Sequence, residues 1–239
     1  MRIFNPKDSE MPGVLAQIEE VSGYSFKDQA LFLLALTHSS YAAEQTPPCP
    51  FNQRLEFLGD SVLQLILSDF LFAGLPDAQE GILTRTRSLL AKEKATAEYA
   101  LRLGLDRALL LGNGENLTGG RERASILGDA FEAFLGAIYL DGGLEAARAV
   151  CSRLLPSPED CVNLLGLEEN PKGMLLEHCQ STQQAKPEYV CLSAHGPVHR
   201  PVYEVKIMLN GKEIARGSGK SRKTAECDAA KKAMQHPNW

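Results

Sequence analysis

Hydrophobic and polar positions follow a helical period over most of the chain. Apolar residues recur at spacings of three and four, the pattern of a helix that buries one face. Helices are predicted around 14–21 and at 30–36, 54–75, 84–103, 125–140 and 144–155. Prolines within 46–50 and glycine pairs at 119–120 and 142–143 separate these segments. Because no sustained strand alternation precedes residue 187, this part is predicted to be all-α.

The period changes towards the C-terminus. Asn170-Pro171 is typical of an N-cap and first turn of a helix, here running to about residue 180. Residues 203–209 alternate between apolar and polar, and Asn210-Gly211 is a strong hairpin signal. The predicted strands are 189–192, 203–209 and 213–216, and the last helix is 224–235, with Ala225, Ala229, Ala230 and Met234 facing inward. The order α-β-β-β-α predicts an α+β domain.

Two domains are therefore expected. The stretch Pro156-Ser157-Pro158-Glu159-Asp160 ends the last of the early helices, and residues 156–169 are interpreted as a linker. The helical domain is placed at 12–155 and the α+β domain at 170–237.

Charge is divided unequally between these parts. The 239 residues carry a net charge of −5, but residues 169–239 hold 11 Lys/Arg against 7 Asp/Glu, whereas residues 1–168 hold 14 against 23. A basic tail of +4 on an acidic body of −9 suggests division of labour, although many basic domains simply have solvated faces.

Localisation is inferred from what the sequence does not contain. The N-terminal residues lack the apolar core of a secretory signal, and no apolar stretch approaches the roughly 18 residues that span a bilayer. The 6 cysteines form no C-x-x-C pair, so a zinc site is not expected. We expect the cysteines to be reduced thiols. We expect a cytoplasmic protein without a membrane partner.

Two predicted helices carry carboxylates among apolar residues. Gln53, Glu56, Asp60 and Gln64 form one narrow polar stripe, and Asp129 with Glu132 forms a second, shorter one. If the stripes face each other, repulsion raises the pKa values of the carboxyls or demands a cation, and hard oxygen ligands suit Mg²⁺ or Mn²⁺. Spacing alone leaves a second interpretation open, a buried ion network with Arg54, Arg85 or Arg87.

Several motifs in chain order resemble the ribonuclease III family over about residues 12–155. They are LTHSS at 36–40, NQRLEFLGDSVL at 52–63, EGILTRTR at 80–87, GGR at 119–121, GDAFEA at 128–133 and GAIYLDGG at 136–143. The resemblance implies an all-helical catalytic domain that pairs with a second copy as a homodimer. It also implies Mg²⁺-dependent hydrolysis of double-stranded RNA by a metal-activated water, with Mn²⁺ able to substitute.

The resemblance assigns roles to individual positions. Glu56, Asp60, Asp129 and Glu132 would bind the metal, and Asp60 and Glu132 would be catalytic. Products would carry 5′-phosphate and 3′-hydroxyl ends, and substrates would be precursors of ribosomal RNA and some messenger or transfer RNAs. Glu80 matches an acidic residue of the cleavage valley, against the alternative of a solvated loop glutamate. Many relatives have Glu where this chain has Gln53, which we interpret as tuning activity or contacting RNA rather than abolishing activity.

Residues 170–236 resemble a double-stranded-RNA-binding domain. Glu177, Gln180 and His199 match positions that touch the RNA minor groove. The alternative for His199 is a loop histidine without a partner. Cations at a helix N-terminus oppose the helix dipole, so Lys220, Arg222 and Lys223 are best explained as phosphate contacts. Gly173 and Leu176 depart from the polar residues often seen in the first helix. The expected partner is double-stranded RNA, and DNA is not expected.

Two rival functions stay open on the sequence alone. A catalytically silent RNA-binding protein would keep the fold but lose a metal ligand, and Gln53 is its only support. A protein-interaction scaffold with a degenerate RNA-binding domain conflicts with the intact cluster of Lys220, Arg222 and Lys223.

Overall fold

The structure is a computed structural model that describes residues 11–195 and 201–235. It falls into two compact units, residues 1–159 and 160–239. The helices of the first unit are α1 (Met11–Ser22), α2 (Gln29–Leu36), α3 (Ser39–Glu44), α4 (Gln53–Gly74), α5 (Glu80–Leu90), α6 (Glu93–Leu103), α7 (Leu105–Ala108), α8 (Asn113–Leu117) and α9 (Ala124–Leu154). The predicted all-α architecture of this part is confirmed.

The core of the first unit lies where α9 packs against α4, α6 and α2. Phe131 and Phe134 of α9 are fully buried; Phe134 lies beside Phe26 and Phe32, whose rings stack 4.6 Å apart. A methyl group on Gly128 would come 2.7 Å from the Thr96 hydroxyl oxygen, so α6 also approaches α9 closely. The carboxylate-bearing helices are therefore among the most constrained elements of the domain.

The sequence prediction is wrong about one helix boundary and right about another. The single helix predicted at 84–103 is two helices, because the chain leaves helical geometry at Ala91 and Lys92. The two helices predicted at 125–140 and 144–155 are both present within α9, where non-helical geometry at Gly143 (φ 82°) separates them. Glycine adopts this positive φ without the steric penalty of a side chain, so the bend falls there.

The segment interpreted as a linker contains a further helix, α10 (Pro158–Glu169). Pro158 stands at its first position, where a missing N–H costs nothing, and Cys161 and Leu165 bury one face. The prolines of this segment thus end α9 and also begin α10. The domain boundaries themselves stay a prediction.

The second unit continues with α11 (Pro171–Ser181), strands β1 (Glu188–His195), β2 (Val202–Leu209) and β3 (Lys212–Gly219), and α12 (Arg222–Gln235). The strands form an antiparallel sheet in the order β1-β2-β3. Asn210 (φ 51°) and Gly211 (φ 77°) make the predicted hairpin turn. Alanines 225, 229 and 230 of α12 are buried against the sheet as predicted, and Gly217 leaves room for the α12 backbone. The α-β-β-β-α order is confirmed.

Helix α4 is long and apolar enough to cross a membrane, by length and composition alone. The expectation that no apolar stretch approaches the length of a membrane span is therefore wrong for this helix. In the fold, however, one face of α4 is buried against α9, and the helix carries Glu56, Asp60 and Asp69. We therefore interpret α4 as a core helix.

Candidate active site

Two glycines let α4 and α9 cross in backbone contact. A methyl group on Gly59 would overlap the carbonyl oxygen of Glu132, and one on Gly136 would overlap that of Leu55. Side chains would hold the helix axes farther apart. The crossing point therefore lies within one turn of Glu56 on α4 and at Glu132 on α9, and it brings the two acidic stripes together.

Three carboxylates converge at this crossing. Oxygens of Glu56, Asp129 and Glu132 all lie within 4.8 Å of one another, and each residue is partly buried. Asp60 is exposed and lies outside this group of three, with a hydrogen bond of 3.4 Å from the Gln64 amide to its carboxylate. Three of the four acidic residues of the two stripes thus lie together as predicted. Asp60 lies at the border of the cluster that they form.

The electrostatics of the cluster match this geometry. Burial, and then the negative charges of Asp60, Asp129 and Glu56, raise the pKa of Glu132 to about 7. Burial followed by repulsion from Asp129 and Asp60 raises the pKa of Glu56. Burial also raises the pKa of Asp129, where His38 opposes the shift and Glu93 adds to it. Ionising all these groups together is unfavourable unless a cation compensates them.

The contacts of Arg87 do not support the alternative of a buried ion network. Its guanidinium donates to the Ser68 hydroxyl at 2.9 Å rather than to an acidic residue of the stripes. A cluster of hard oxygen donors whose pKa values are raised by mutual repulsion fits a divalent metal such as Mg²⁺.

The imidazole of His38 lies near this cluster, which the sequence analysis did not anticipate. Its Nδ1 atom is 2.8 Å from the Ser40 hydroxyl, and it accepts the Ser40 amide at 3.2 Å as the N-cap of α3. Burial lowers the pKa of His38, whereas the charges of Glu115 and Asp129 raise it. The motif LTHSS is visible in the sequence, but only the fold shows that its histidine interacts electrostatically with Asp129.

Two further candidates lie at helix starts. Gln53 is the exposed first residue of α4, one turn before Glu56. Glu80 is the exposed first residue of α5 and accepts a hydrogen bond from Thr84 at 2.8 Å. Glu80 is therefore solvent-exposed, as in the alternative interpretation, but it lies in the first turn of a helix, where an acidic residue stabilises the helix dipole, and not in a loop. Its place in a cleavage valley stays a prediction.

The RNA-binding candidates of the second unit are all solvent-accessible where the structure describes them. Glu177 and Gln180 are exposed on the same side of α11, and Lys220, Arg222 and Lys223 are exposed at and just before the start of α12. His199 lies outside the described residues. The structure accounts for the two residues of α11 that differ from the polar residues expected there. Gly173 leaves room for the Asn170 side chain that caps the helix, and Leu176 is half-buried.

The helical domain carries an acidic site suited to a divalent cation, and an α-β-β-β-α domain follows it. Together these features define a class of metal-dependent two-domain protein. Comparison with known proteins identifies it further. Residues 28–158 match the family described as "Ribonuclease-III-like", and residues 171–236 match the "Double-stranded RNA binding motif". The chain belongs to the ribonuclease III family.

Individual relatives are similar over nearly their whole length. "Ribonuclease 3" of Protochlamydia amoebophila is 41% identical over 91% of this chain and 89% of the relative. "Ribonuclease 3" of Carboxydothermus hydrogenoformans is 40% identical over 92% and 94%. Among solved structures, the nuclease domain of "Ribonuclase III" from Campylobacter jejuni is 40% identical with a TM-score of 0.55, covering 59% of this chain and 94% of that one. That structure is described as flexible in a region involved in dimer formation.

Proposed function

We propose that this protein is a Mg²⁺-dependent endonuclease that hydrolyses double-stranded RNA to 5′-phosphate and 3′-hydroxyl ends. The observation that carries the proposal is the convergence of Glu56, Asp129 and Glu132 within 4.8 Å at the α4–α9 crossing. A silent RNA-binding protein would have no need to hold three repelling carboxylates together. Relatives named "Ribonuclease 3" support the same activity.

The residues of the cluster fit a divalent cation. Glu56, Asp129 and Glu132 would hold Mg²⁺, or Mn²⁺ in its place, with Asp60 completing the set from the exposed border. When bound, the cation supplies positive charge that stabilises the scissile phosphate and activates water. Asp60 and Glu132 are the proposed catalytic carboxylates. Without a cation the pKa of Glu132 is raised to about 7, and a bound cation would favour its ionised form.

The second unit would supply the duplex-binding surface. Glu177 and Gln180 on α11 would contact the minor groove, and Lys220, Arg222 and Lys223 would contact phosphates. His199, Gln53 and Glu80 are the remaining proposed RNA contacts. Changing Lys220, Arg222 and Lys223 together to Ala should weaken duplex binding and lower its salt dependence, because each phosphate contact releases counterions.

An exposed apolar face on α4 supports a homodimer. Phe57, Leu65 and Phe72 are 79%, 54% and 73% exposed, so the core of one chain does not account for them. Large apolar side chains clustered on one helix face are typical of a protein–protein interface. Phe57→Asp should give a monomer in light scattering, and an unchanged dimer would remove this face from the interface.

Cutting should be tested on a long RNA duplex with Mg²⁺ and, separately, with EDTA. We expect cleavage only with the metal, with products that a 5′-phosphate-dependent exonuclease degrades. Intact duplex in both reactions, with binding retained, would favour the silent RNA-binding protein. The expected natural substrates are precursors of ribosomal RNA and some messenger or transfer RNAs, processed in the cytoplasm.

A further inference from the structure

One carboxylate of the second unit is almost enclosed by basic groups. Glu226 lies on α12, one turn after Arg222, and its side chain is only 12% exposed. Its Oε1 atom accepts a hydrogen bond from Arg222 Nε at 2.9 Å, and its Oε2 atom accepts one from Lys172 Nζ at 2.6 Å. Both oxygens of a nearly buried carboxylate are therefore occupied by cations from two different helices.

Glu226 is itself fixed in position by its surroundings. The Lys172 ammonium, from the first turn of α11, also lies 4.5 Å from the centre of the Tyr189 ring on β1, within the range of a cation–π contact. Burial opposes ionisation of Glu226, but the hydrogen bonds from Lys172 and Arg222 outweigh it and bring the pKa below its usual value. Three elements, α11, β1 and α12, thus converge on one ionised carboxylate.

The contact between Glu226 and Arg222 uses Nε, the guanidinium nitrogen nearest the aliphatic part of the arginine side chain. Arg222 remains 63% exposed, and Glu226 binds it only through Nε. Among the residues that the structure describes, neither terminal Nη group of Arg222 has a protein partner, so both are left for an outside acceptor, and the Nε bond sets the plane of the guanidinium. A guanidinium recognises phosphate best when its donors are held in a fixed orientation.

We propose that Glu226 is a positioning residue of the RNA-binding surface, which orients the Arg222 guanidinium for phosphate and is anchored by Lys172 and Tyr189. The inference rests on the proposed binding of double-stranded RNA by this unit. According to this proposal, the negative charge of Glu226 strengthens RNA binding although it lies within a basic surface. Long-range electrostatics alone predicts that the same charge weakens RNA binding.

This difference in sign makes the inference testable with Glu226→Gln. The substitution makes the protein more positive by one charge, so simple charge attraction predicts tighter RNA binding. If Glu226 positions Arg222, Glu226→Gln should instead weaken RNA binding about fivefold at roughly 0.15 M salt. This is the loss expected when one phosphate contact no longer releases its counterions. Full-length proteins should be titrated in EDTA, which prevents cutting, with a duplex longer than the roughly 16 base pairs that one domain spans.

The matched control is Glu213→Gln. Glu213 on β3 accepts hydrogen bonds from Arg216 Nε at 2.5 Å and from Arg216 Nη2 at 3.1 Å. It lies in the same unit, and its substitution changes the charge equally. We expect this variant to bind duplex as tightly as the parent or tighter. If Glu226→Gln binds as tightly as Glu213→Gln, the inference is overturned.

A double-mutant cycle separates positioning from a loss of folding. If Glu226 acts through Arg222, Glu226→Gln should weaken binding in the parent but have no further effect beside Arg222→Ala. A merely structural role would weaken binding equally in both backgrounds, together with a lower melting temperature, and would overturn the inference.

Arg222→Lys provides a test that leaves the Glu226 carboxylate itself in place. It keeps the charge on an exposed side chain but removes the planar donor set, so it should also weaken binding in the parent. Parental affinity in Arg222→Lys would overturn the inference. A parent that fails to bind duplex at all would instead remove the proposed function on which it rests.

Discussion

Gly59 of α4 lies directly against the backbone carbonyl of Glu132 on α9, with no space for a methyl group between them. This contact explains how carboxylates some seventy residues apart in the chain share one site. The close approach at the glycine fixes the separation of the two helices, and that separation fixes the distance between the carboxylates on their facing sides.

Gly59→Ala should therefore damage both the site and the fold. Because the new methyl group would meet backbone rather than a flexible side chain, we expect a destabilisation of at least about 1–3 kcal/mol and a large loss of cleavage. Gly13→Ala is the control, since Gly13 lies in helix α1 and an added methyl group there would meet no atom within 4 Å. That variant should melt at or above the parental temperature. A Gly59→Ala protein with normal activity and stability would contradict the close crossing.

Asp60→Asn and Glu132→Gln should each lower cleavage by at least about 100-fold while duplex binding survives. Both substitutions keep the size of the side chain and remove a charge from the proposed metal site. Gel-shift and cleavage assays on the same preparations separate binding from chemistry. Near-normal cleavage by either variant would remove that residue from the active site.

Stability without metal should fall as the pH rises. The pKa of Glu132 is about 7 in the folded protein against an ordinary value of 4.5, so the folded state binds more protons between those two values. Stability is therefore greatest at the acidic end of this range and is lost as the pH rises through it. Glu56 and Asp129 act in the same direction, because their pKa values are also raised.

Thermal melts in EDTA across this pH range check the expectation. Glu132→Gln should show a weaker decline than the parent, since its amide does not titrate. Added Mg²⁺ should protect the parent more at high pH, where the carboxylates are ionised. An equal pH dependence of the melting temperature in the parent and in Glu132→Gln would contradict the raised pKa of Glu132. The comparison cancels the contribution of His38, whose lowered pKa makes stability rise with pH in both proteins.

Gln53→Glu should retain or raise activity and could change the preferred metal. If Gln53 faces the metal site, a fifth acidic group strengthens cation binding but adds repulsion when no cation is present. The variant should then melt below the parent in EDTA, and Mg²⁺ should narrow or reverse the difference. Identical melting temperatures in both conditions would show that Gln53 points away from the site.

A truncation that ends near Pro156 should still cut but bind duplex poorly. The removed part carries the excess positive charge, whereas all four acidic site residues remain. Cleavage should be measured at low salt with Mn²⁺, and affinity at physiological salt. Equal affinity with and without the tail would contradict this division of labour.

The sequence by itself determined the architecture and the identity of the acidic residues. Helical periodicity in the first part, and strand alternation with Asn210-Gly211 in the second, are local patterns that short-range geometry imposes. The polar stripe containing Glu56 and Asp60 was visible for the same reason, since its members lie on one helix. The boundary between α5 and α6 was missed because Ala91 and Lys92, where the chain leaves helical geometry, carry no glycine or proline signal. The helix α10 was missed because the prolines at its start were interpreted as part of a linker.

Only the tertiary structure decided which groups meet. The approach of Asp129 and Glu132 to Glu56 depends on glycine contacts between α4 and α9, and no spacing along the chain encodes a distance between helices. The sequence showed Arg222 and Glu226 one turn apart, but the third member, Lys172, comes from another helix. Charge interactions act through space, so the pKa of Glu132 and the anchoring of Glu226 follow from the fold and not from the order of residues.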